Sequence, residues 1–304
     1  ISCFLQAMFG VVQFFGFFQI STTLWVTGSF DNPAGFAACL CAGFPFVGFL
    51  LSDSNKYIRY VGGLIGFVIV IAVILSQSRA GIMSIAFICF ILLNMKFFHK
   101  RWVKYLSLLC FALLLSGCYW MKKDSADGRL LIWRCSVSMV KDAPWLGHGI
   151  GSFEARYMDY QADYFRQYGL NRYSMLADNV KHPFNEYLGV LLNFGFVGLL
   201  MILALITLLI YCYKKHPCAE KRIAFCSLIS IGVFSFFSYT FTYPFTWIVT
   251  FLCIIILTKE YIAKVFTCPI IKNTVCIFIL LCSFWGIYNL VKCVMAEKEW
   301  GDTS

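Results

Sequence analysis

Three short stretches bring together side chains able to do chemistry. Ser76-Gln77-Ser78-Arg79-Ala80-Gly81 sets a guanidinium beside two hydroxyls, between two long apolar runs. A guanidinium is permanently charged, and its planar fork of donors matches the oxygens of a phosphate or diphosphate. At a helix end it equally suits a headgroup phosphate reached by snorkelling. His182-Pro183-Phe184-Asn185-Glu186-Tyr187-Leu188 opens another apolar run. Pro183 suits a first-turn position there, with Asn185 and Glu186 near the dipole-positive end. His182 can accept a proton near neutral pH, and the same residues also read as a helix-capping, headgroup-contacting cluster. Asp127-Gly128-Arg129-Leu130-Leu131-Ile132-Trp133 puts Arg129 and Trp133 one helical turn apart, so a cation and an aromatic face share one surface. That pairing fits a sugar diphosphate, or a cation–π packing contact.

Other motifs carry less. Pro144-Trp145-Leu146-Gly147-His148-Gly149-Ile150-Gly151-Ser152-Phe153 has the glycine spacing of a phosphate loop. No strand precedes it, which rejects a nucleotide fingerprint; its glycines are expected to make a tight turn between two helices. Gly28-Ser29-Phe30-Asp31-Asn32-Pro33 reads as a turn opening a span. Asp124 and Asp127 are two carboxylates in an approach segment, and no metal is expected.

These residues must be positioned by a chain of 304 residues that is 60% apolar and only 13% charged, where soluble domains carry about 25% charged residues. Apolar runs of about 20 residues, enough to cross a bilayer, recur between short polar breaks. Spans are expected near 4–20, 34–51, 57–75, 82–95, 103–120, 186–212, 223–240, 245–258 and 269–291. Backbone groups in hydrocarbon must pair within the segment, and these runs do not alternate as barrel strands do. The reading is an all-α polytopic transmembrane helix bundle of about nine spans with one long, partly helical loop. It divides into N-terminal membrane helices over 1–120, the loop over 121–185, C-terminal membrane helices over 186–291 and the start of a polar segment over 292–304. The opening on Ile1, inside an apolar run and without a charged leader, is expected of a fragment of a longer protein.

Charge orients the bundle. Lys56 and Arg59, then Lys96, Lys100, Arg101 and Lys104, then Lys214, Lys215, Lys221 and Arg222, then Lys259 and Lys264 fall on one set of loops. The positive-inside rule makes that set cytoplasmic. The short loops opposite, 21–33, 76–81 and 241–244, hold a single basic residue, Arg79. Loop 121–185 shares their side, with helices expected over 128–141 and 152–168. Tyr157, Tyr164 and Tyr168 recur there at near-helical spacing, the pattern of a helix lying at the membrane interface. The net charge of +10 thus reflects orientation, and no basic module stands apart to bind nucleic acid. Cys39, Cys41, Cys89, Cys110, Cys226 and Cys253 lie inside apolar runs and read as small packing residues.

Taken in order, these stretches resemble the bacterial O-antigen ligase and polymerase superfamily. The resemblance rests on 28–33, on 76–81, on Gly128-Arg129 with Trp133, on 144–153, and on 182–188 followed by Gly195, Gly198 and Leu199. It covers roughly 28–200. It implies transfer of a glycan from undecaprenyl diphosphate to an acceptor hydroxyl on the periplasmic face of the bacterial inner membrane, in contact with membrane lipids. Acceptors across the superfamily are a lipid A core sugar, another glycan repeat, or a protein Ser or Tyr, so ligase, polymerase and protein O-oligosaccharyltransferase share the chemistry. The resemblance implies inversion at the anomeric carbon, without cofactor or metal. Arg79 would stabilise the leaving diphosphate, helped by Arg129, and His182 would be the general base. Asn185 or Glu186 would orient it, with Ser78, Trp133 and Arg134 contacting substrate. Many members carry His-x-His or His-Asn where Pro183-Phe184 here separates His182 from Asn185. A lipid-linked glycan transporter is the competing class; charges along a path within the spans would mark one, and the spans are almost free of them.

Overall fold

The computed structural model describes residues 1–17, 26–96, 101–121 and 123–265, with positions 285, 288, 291, 292 and 295. Among these residues all regular structure is helical. The helices are α1 (Ser2–Phe14), α2 (Pro33–Gly43), α3 (Val47–Leu51), α4 (Lys56–Leu75), α5 (Arg79–Lys96), α6 (Arg101–Met121), α7 (Lys123–Asp142), α8 (Ser152–Tyr168), α9 (Glu186–Lys215), α10 (Ala219–Phe237) and α11 (Pro244–Val265). The chain forms two units, Ile1–Leu257 and Thr258–Ser304. Everything below concerns the first; the described residues of the second are helical.

Among the described residues four helices are long and apolar enough to cross a membrane: Pro33–Leu51, Lys56–Leu75, Glu186–Lys215 and Pro244–Ala263. The expected count of nine spans is therefore not confirmed. Ser2–Phe14 and Arg79–Leu92 are shorter apolar helices, and α10 opens on the charged run Glu220, Lys221 and Arg222. Residues 18–20 of the first expected span, most of 269–291, and Lys100 and Lys122 lie outside the described residues, as does the side chain of Cys110.

The core of the unit is α2. Its small residues, Ala37, Ala38 and Ala42, are fully or almost fully buried and let neighbouring backbones approach closely. Hydroxyls then bridge the helices: Ser230 Oγ donates to the Cys41 carbonyl and Ser227 Oγ to the Ala42 carbonyl, both at 2.7 Å, and Ser84 Oγ donates to the Ser230 carbonyl at 2.8 Å. Cys39, Cys41, Cys226 and Cys253 are buried free thiols, which agrees with their reading as packing residues.

The hydrophilic loop folds as α7 and α8 packed together. Leu131, Cys135 and Met139 of α7 meet Phe153 and Tyr157 of α8, and Tyr173 and Leu192 close the cluster. Part of the tyrosine face expected at the membrane interface is turned into this core: Tyr157 is buried, and Tyr160, Tyr164 and Phe165 pack against the same cluster, while Tyr168 is 62% exposed.

The loop is fastened to α9 through a break in that helix. Gly195 adopts φ 61° and ψ −159°, interrupting the helix between Phe194 and Phe196, a conformation essentially confined to glycine. In a continuous helix the N–H groups of Phe196 and Val197 would bond the carbonyls of Leu192 and Asn193. Here Phe196 N–H donates to the Pro144 carbonyl at 2.8 Å and Val197 N–H to Trp145 at 3.2 Å. The Leu192 and Asn193 carbonyls accept from His148 N–H at 2.7 Å and Gly149 N–H at 3.1 Å. The glycine run thus makes the expected turn between the loop helices, with Gly147, Gly149 and Gly151 all at positive φ, and its backbone also mends the broken helix.

Gly195→Ala should prevent this docking, since a Cβ there overlaps the Trp145 carbonyl and the conformation itself costs about 1–3 kcal/mol for any other residue. The expected outcome is a lowered thermal midpoint in detergent and faster proteolysis within 143–152. Gly63→Ala, with open space around the added methyl, should leave both unchanged.

Candidate functional site

Serine hydroxyls shape the first turn of the site. Ser76 Oγ donates to the Val73 carbonyl at 2.7 Å and accepts from Ser78 N–H at 3.3 Å, and Ser78 Oγ accepts from Gly81 N–H at 3.3 Å. Between them Gln77 is held at φ 52°, a strained position for a residue with a side chain. Ser78 therefore caps α5. The turn ends at Arg79, whose guanidinium donates to Ser125 Oγ of α7 at 2.7 Å.

Arg129, one turn along α7 from Ser125, is the second cation. It donates to the Phe237 carbonyl at 2.6 Å and lies over the Phe184 ring at 5.1 Å. Burial, and after it the positive charge of Arg79, lower its pKa to about 10, with Tyr239 acting in the opposite direction. Two guanidiniums from separate elements are thus held near enough to repel, with one largely desolvated. Both stay charged at neutral pH, and an anion bound between them would relieve the repulsion.

The histidine comes from a different element. His182 stacks on Tyr239, centroids 4.7 Å apart and planes at 24°. Phe184, the second non-glycine residue at φ 52° among the described residues, packs edge-on against Tyr239 at 5.3 Å. Phe184 therefore touches both Arg129 and the ring that carries His182, and Arg79, Arg129 and His182 belong to one connected site. Burial lowers the His182 pKa; Glu154 raises it and Lys181 lowers it. The imidazole is thus kept neutral at neutral pH, the form that accepts a proton.

The other expected site residues have structural partners. Trp133 Nε1 donates to the Pro183 carbonyl at 3.0 Å and its ring meets Phe236 at 6.1 Å, so it braces the His182 segment. Asn185 Oδ1 accepts from Leu188 N–H at 3.0 Å and caps α9. The helix begins at Glu186, so Pro183 precedes the cap instead of sitting in the first turn. Glu186 accepts from Phe241 N–H at 2.8 Å and fixes the turn that presents Tyr239. Arg134 lies on another face of α7, exposed, donating to Tyr164 Oη at 3.4 Å and covering the Tyr173 ring at 5.1 Å. No contact brings it to Arg79 or His182. Among the described residues no group of three His, Cys, Asp or Glu is placed to hold a metal.

Sequence reasoning missed Asn32, Tyr239 and Tyr243. Asn32 Oδ1 accepts from Gly35 N–H and from Tyr243 Oη, both at 2.9 Å, while its Nδ2 donates to Tyr239 Oη at 3.4 Å. The turn opening α2 is thereby tied to the ring under His182. The readable signal was the aromatic run Tyr239-Thr240-Phe241-Thr242-Tyr243, on the same expected side as Arg79 and passed over because it carries no charge.

Residues 64–203 match the family model described as O-antigen ligase, which supports the O-antigen ligase superfamily. The matched stretch contains Arg79, Arg129, Trp133, His182 and Gly195 and leaves out Asn32, Tyr239 and Tyr243. No curated protein matches the chain.

Uncovering His182 should reverse its shift. Tyr239→Ala removes a stacked ring that contributes to its burial, so the His182 pKa should rise toward the ordinary value of about 6.5, read by NMR titration of histidine-labelled protein. The depressed folded-state pKa also fixes the sign for stability: this group's contribution is present at neutral pH and lost as pH falls through the folded pKa. That acid-side loss should shrink in the variant.

Proposed function

With residues 64–203 matched to the O-antigen ligase family, we propose that the chain is a lipid-diphosphate-dependent glycosyltransferase. It moves a glycan from undecaprenyl diphosphate to an acceptor hydroxyl, a lipid A core sugar, at the periplasmic face of the inner membrane. The observation that carries this reading is the Arg79–Arg129 pair beside an apolar cavity. The cavity, about 680 Å³, is lined by Met83 and Phe87 of α5, Phe111 of α6, Leu209 of α9, and Phe236 and Phe237 of α10. Phe237 joins the two features, since its carbonyl accepts from Arg129. Cations for a diphosphate next to an apolar slot are what an amphiphilic lipid diphosphate requires.

In this mechanism the acceptor oxygen attacks the anomeric carbon while the bond to the diphosphate breaks, inverting that carbon. The electron pair leaves with the diphosphate, whose growing charge is met by Arg79 and Arg129. The acceptor proton passes to His182, which burial keeps neutral and Tyr239 holds in place. Asn185, Glu186 and Trp133 position the histidine segment, Ser78 holds Arg79 at the start of α5, and Arg134 meets the glycan away from the reacting carbon. No metal takes part.

The test is transfer from purified lipid-linked donor to defined acceptors. Arg79→Ala should lower the rate by about 10²-fold or more, and His182→Ala by about 10²–10⁴-fold, with membrane insertion intact. Retained transfer in both variants defeats the assignment. The wild-type rate should climb as pH rises through a His182 pKa below about 6.5 and stay level at neutral pH; a rate that falls over that interval contradicts the general-base role. An acceptor series containing another glycan repeat or a Ser/Tyr peptide separates ligase from polymerase and from protein transferase.

A further inference from the structure

The hairpin that mends α9 has an outward side that the catalytic reading does not use. Residues 143–152 carry no charged side chain. The one titratable group, His148, turns inward: its Nε2–H donates to the Met139 carbonyl at 2.8 Å and Nδ1 accepts from Arg156 at 2.9 Å. Trp145, Leu146 and Ile150 point the other way, 69%, 74% and 84% exposed. Their neighbours in the loop differ sharply, since Glu154, Asp163, Arg166 and Lys181 are solvated charges.

These apolar side chains continue a surface that is already lipid-facing. The Trp145 ring meets Phe196 of α9 edge-on at 6.1 Å, and Phe194, Phe196 and Val197 are themselves 41–46% exposed. Of the four helices long enough to span a membrane, α9 is the least buried by protein. Depth follows from helix geometry: Phe196–Lys215, ending on Lys214 and Lys215, rises about 30 Å at 1.5 Å per residue, the thickness of a bilayer's hydrocarbon. The break at Gly195 then falls at the boundary between hydrocarbon and headgroups, where tryptophan is favoured.

We infer that residues 144–150 are a membrane wedge, with Trp145, Leu146 and Ile150 inserted at the headgroup level of the outward-facing leaflet. The wedge sets the height of α7 and α8 above the bilayer through its hydrogen bonds to α9. It rests on the membrane-spanning reading of α9 and not on the transfer chemistry.

The test places the full chain in phosphatidylcholine vesicles brominated either near the headgroup or near the acyl ends. The chain has eight tryptophans, so the Trp145 signal is the difference between wild type and Trp145→Phe. That difference should be quenched by the shallow bromines, less by the deep ones, and shielded from aqueous iodide. Ile150→Trp should add a second emission with the same shallow quenching, which keeps the test available if Trp145→Phe does not accumulate. Leu146→Asp should make the Trp145 signal red-shifted and iodide-accessible. Quenching by iodide alone would put the hairpin in water, and insensitivity to both quenchers would mean that protein covers it. Either result overturns the wedge, as does stronger quenching by the deep bromines, while transfer activity would remain a separate readout.

Discussion

A break in a helix leaves backbone N–H and C=O groups that must find other partners, and the break at Gly195 organises the site. Four backbone hydrogen bonds join residues 144–149 to residues 192–197. They fasten the turn between α7 and α8 to the helix that begins just after His182. Arg129 and Trp133 on α7 are thereby carried on the same frame as the His182–Glu186 segment, although about 50 residues separate them in the chain. Ser152 Oγ adds a side-chain bond to Asn193 Oδ1 at 3.3 Å. Together with the Trp133 hydrogen bond to the Pro183 carbonyl, this joint ties α7 to the start of α9 by directional bonds, which fix position more sharply than apolar contacts.

Once the frame is fixed, it can hold groups in arrangements they would not choose alone. Arg79 and Arg129 repel one another, and Arg129 is also largely desolvated. Gln77 and Phe184 keep positive φ with side chains attached, at a cost of about 1–3 kcal/mol each. Both strained residues lie within two positions of a proposed catalytic group. Strain and repulsion are thus gathered at one place, where Arg79 and Arg129 are each held by a hydrogen bond, to Ser125 Oγ and to the Phe237 carbonyl.

Much of this could be read from residue types. Arg79 stood out because it was the one basic residue on the short loops of its side, and the pairing of Arg129 with Trp133 followed from helical spacing. The kink could not be read, since Gly195 in an apolar run looks like any packing glycine until its φ is known. Asn185 and Glu186 were expected to orient His182 and also read as a helix-capping cluster; a cap and a turn use an oxygen of each, because the start of a helix leaves N–H groups that need acceptors. The tyrosine spacing on α8 marked one face, of which Tyr157 and Tyr164 pack into the core of the loop while Tyr168 stays exposed. Tyr239 and Asn32 stood out less for another reason: much of their importance lies in contacts with residues distant in the chain, Tyr239 with His182 and Asn32 with Tyr239 and Tyr243.

The distribution of these contacts separates two tasks. The groups suited to an anion, Arg79 and Arg129, lie inside the stretch matched to the family. The ring that stacks on His182 and the asparagine that steadies it lie outside, at 239 and 32. The two guanidiniums thus lie in the matched segment, while the surroundings of His182 are completed by the turn opening α2 and the turn after α10. Both turns close on Asn32, whose single carboxamide caps a helix and holds two tyrosines. A change in either turn would therefore reach His182 through Tyr239, and the turn after α10 also reaches Arg129, which donates to the Phe237 carbonyl, so the histidine and the second guanidinium share one support in this fold.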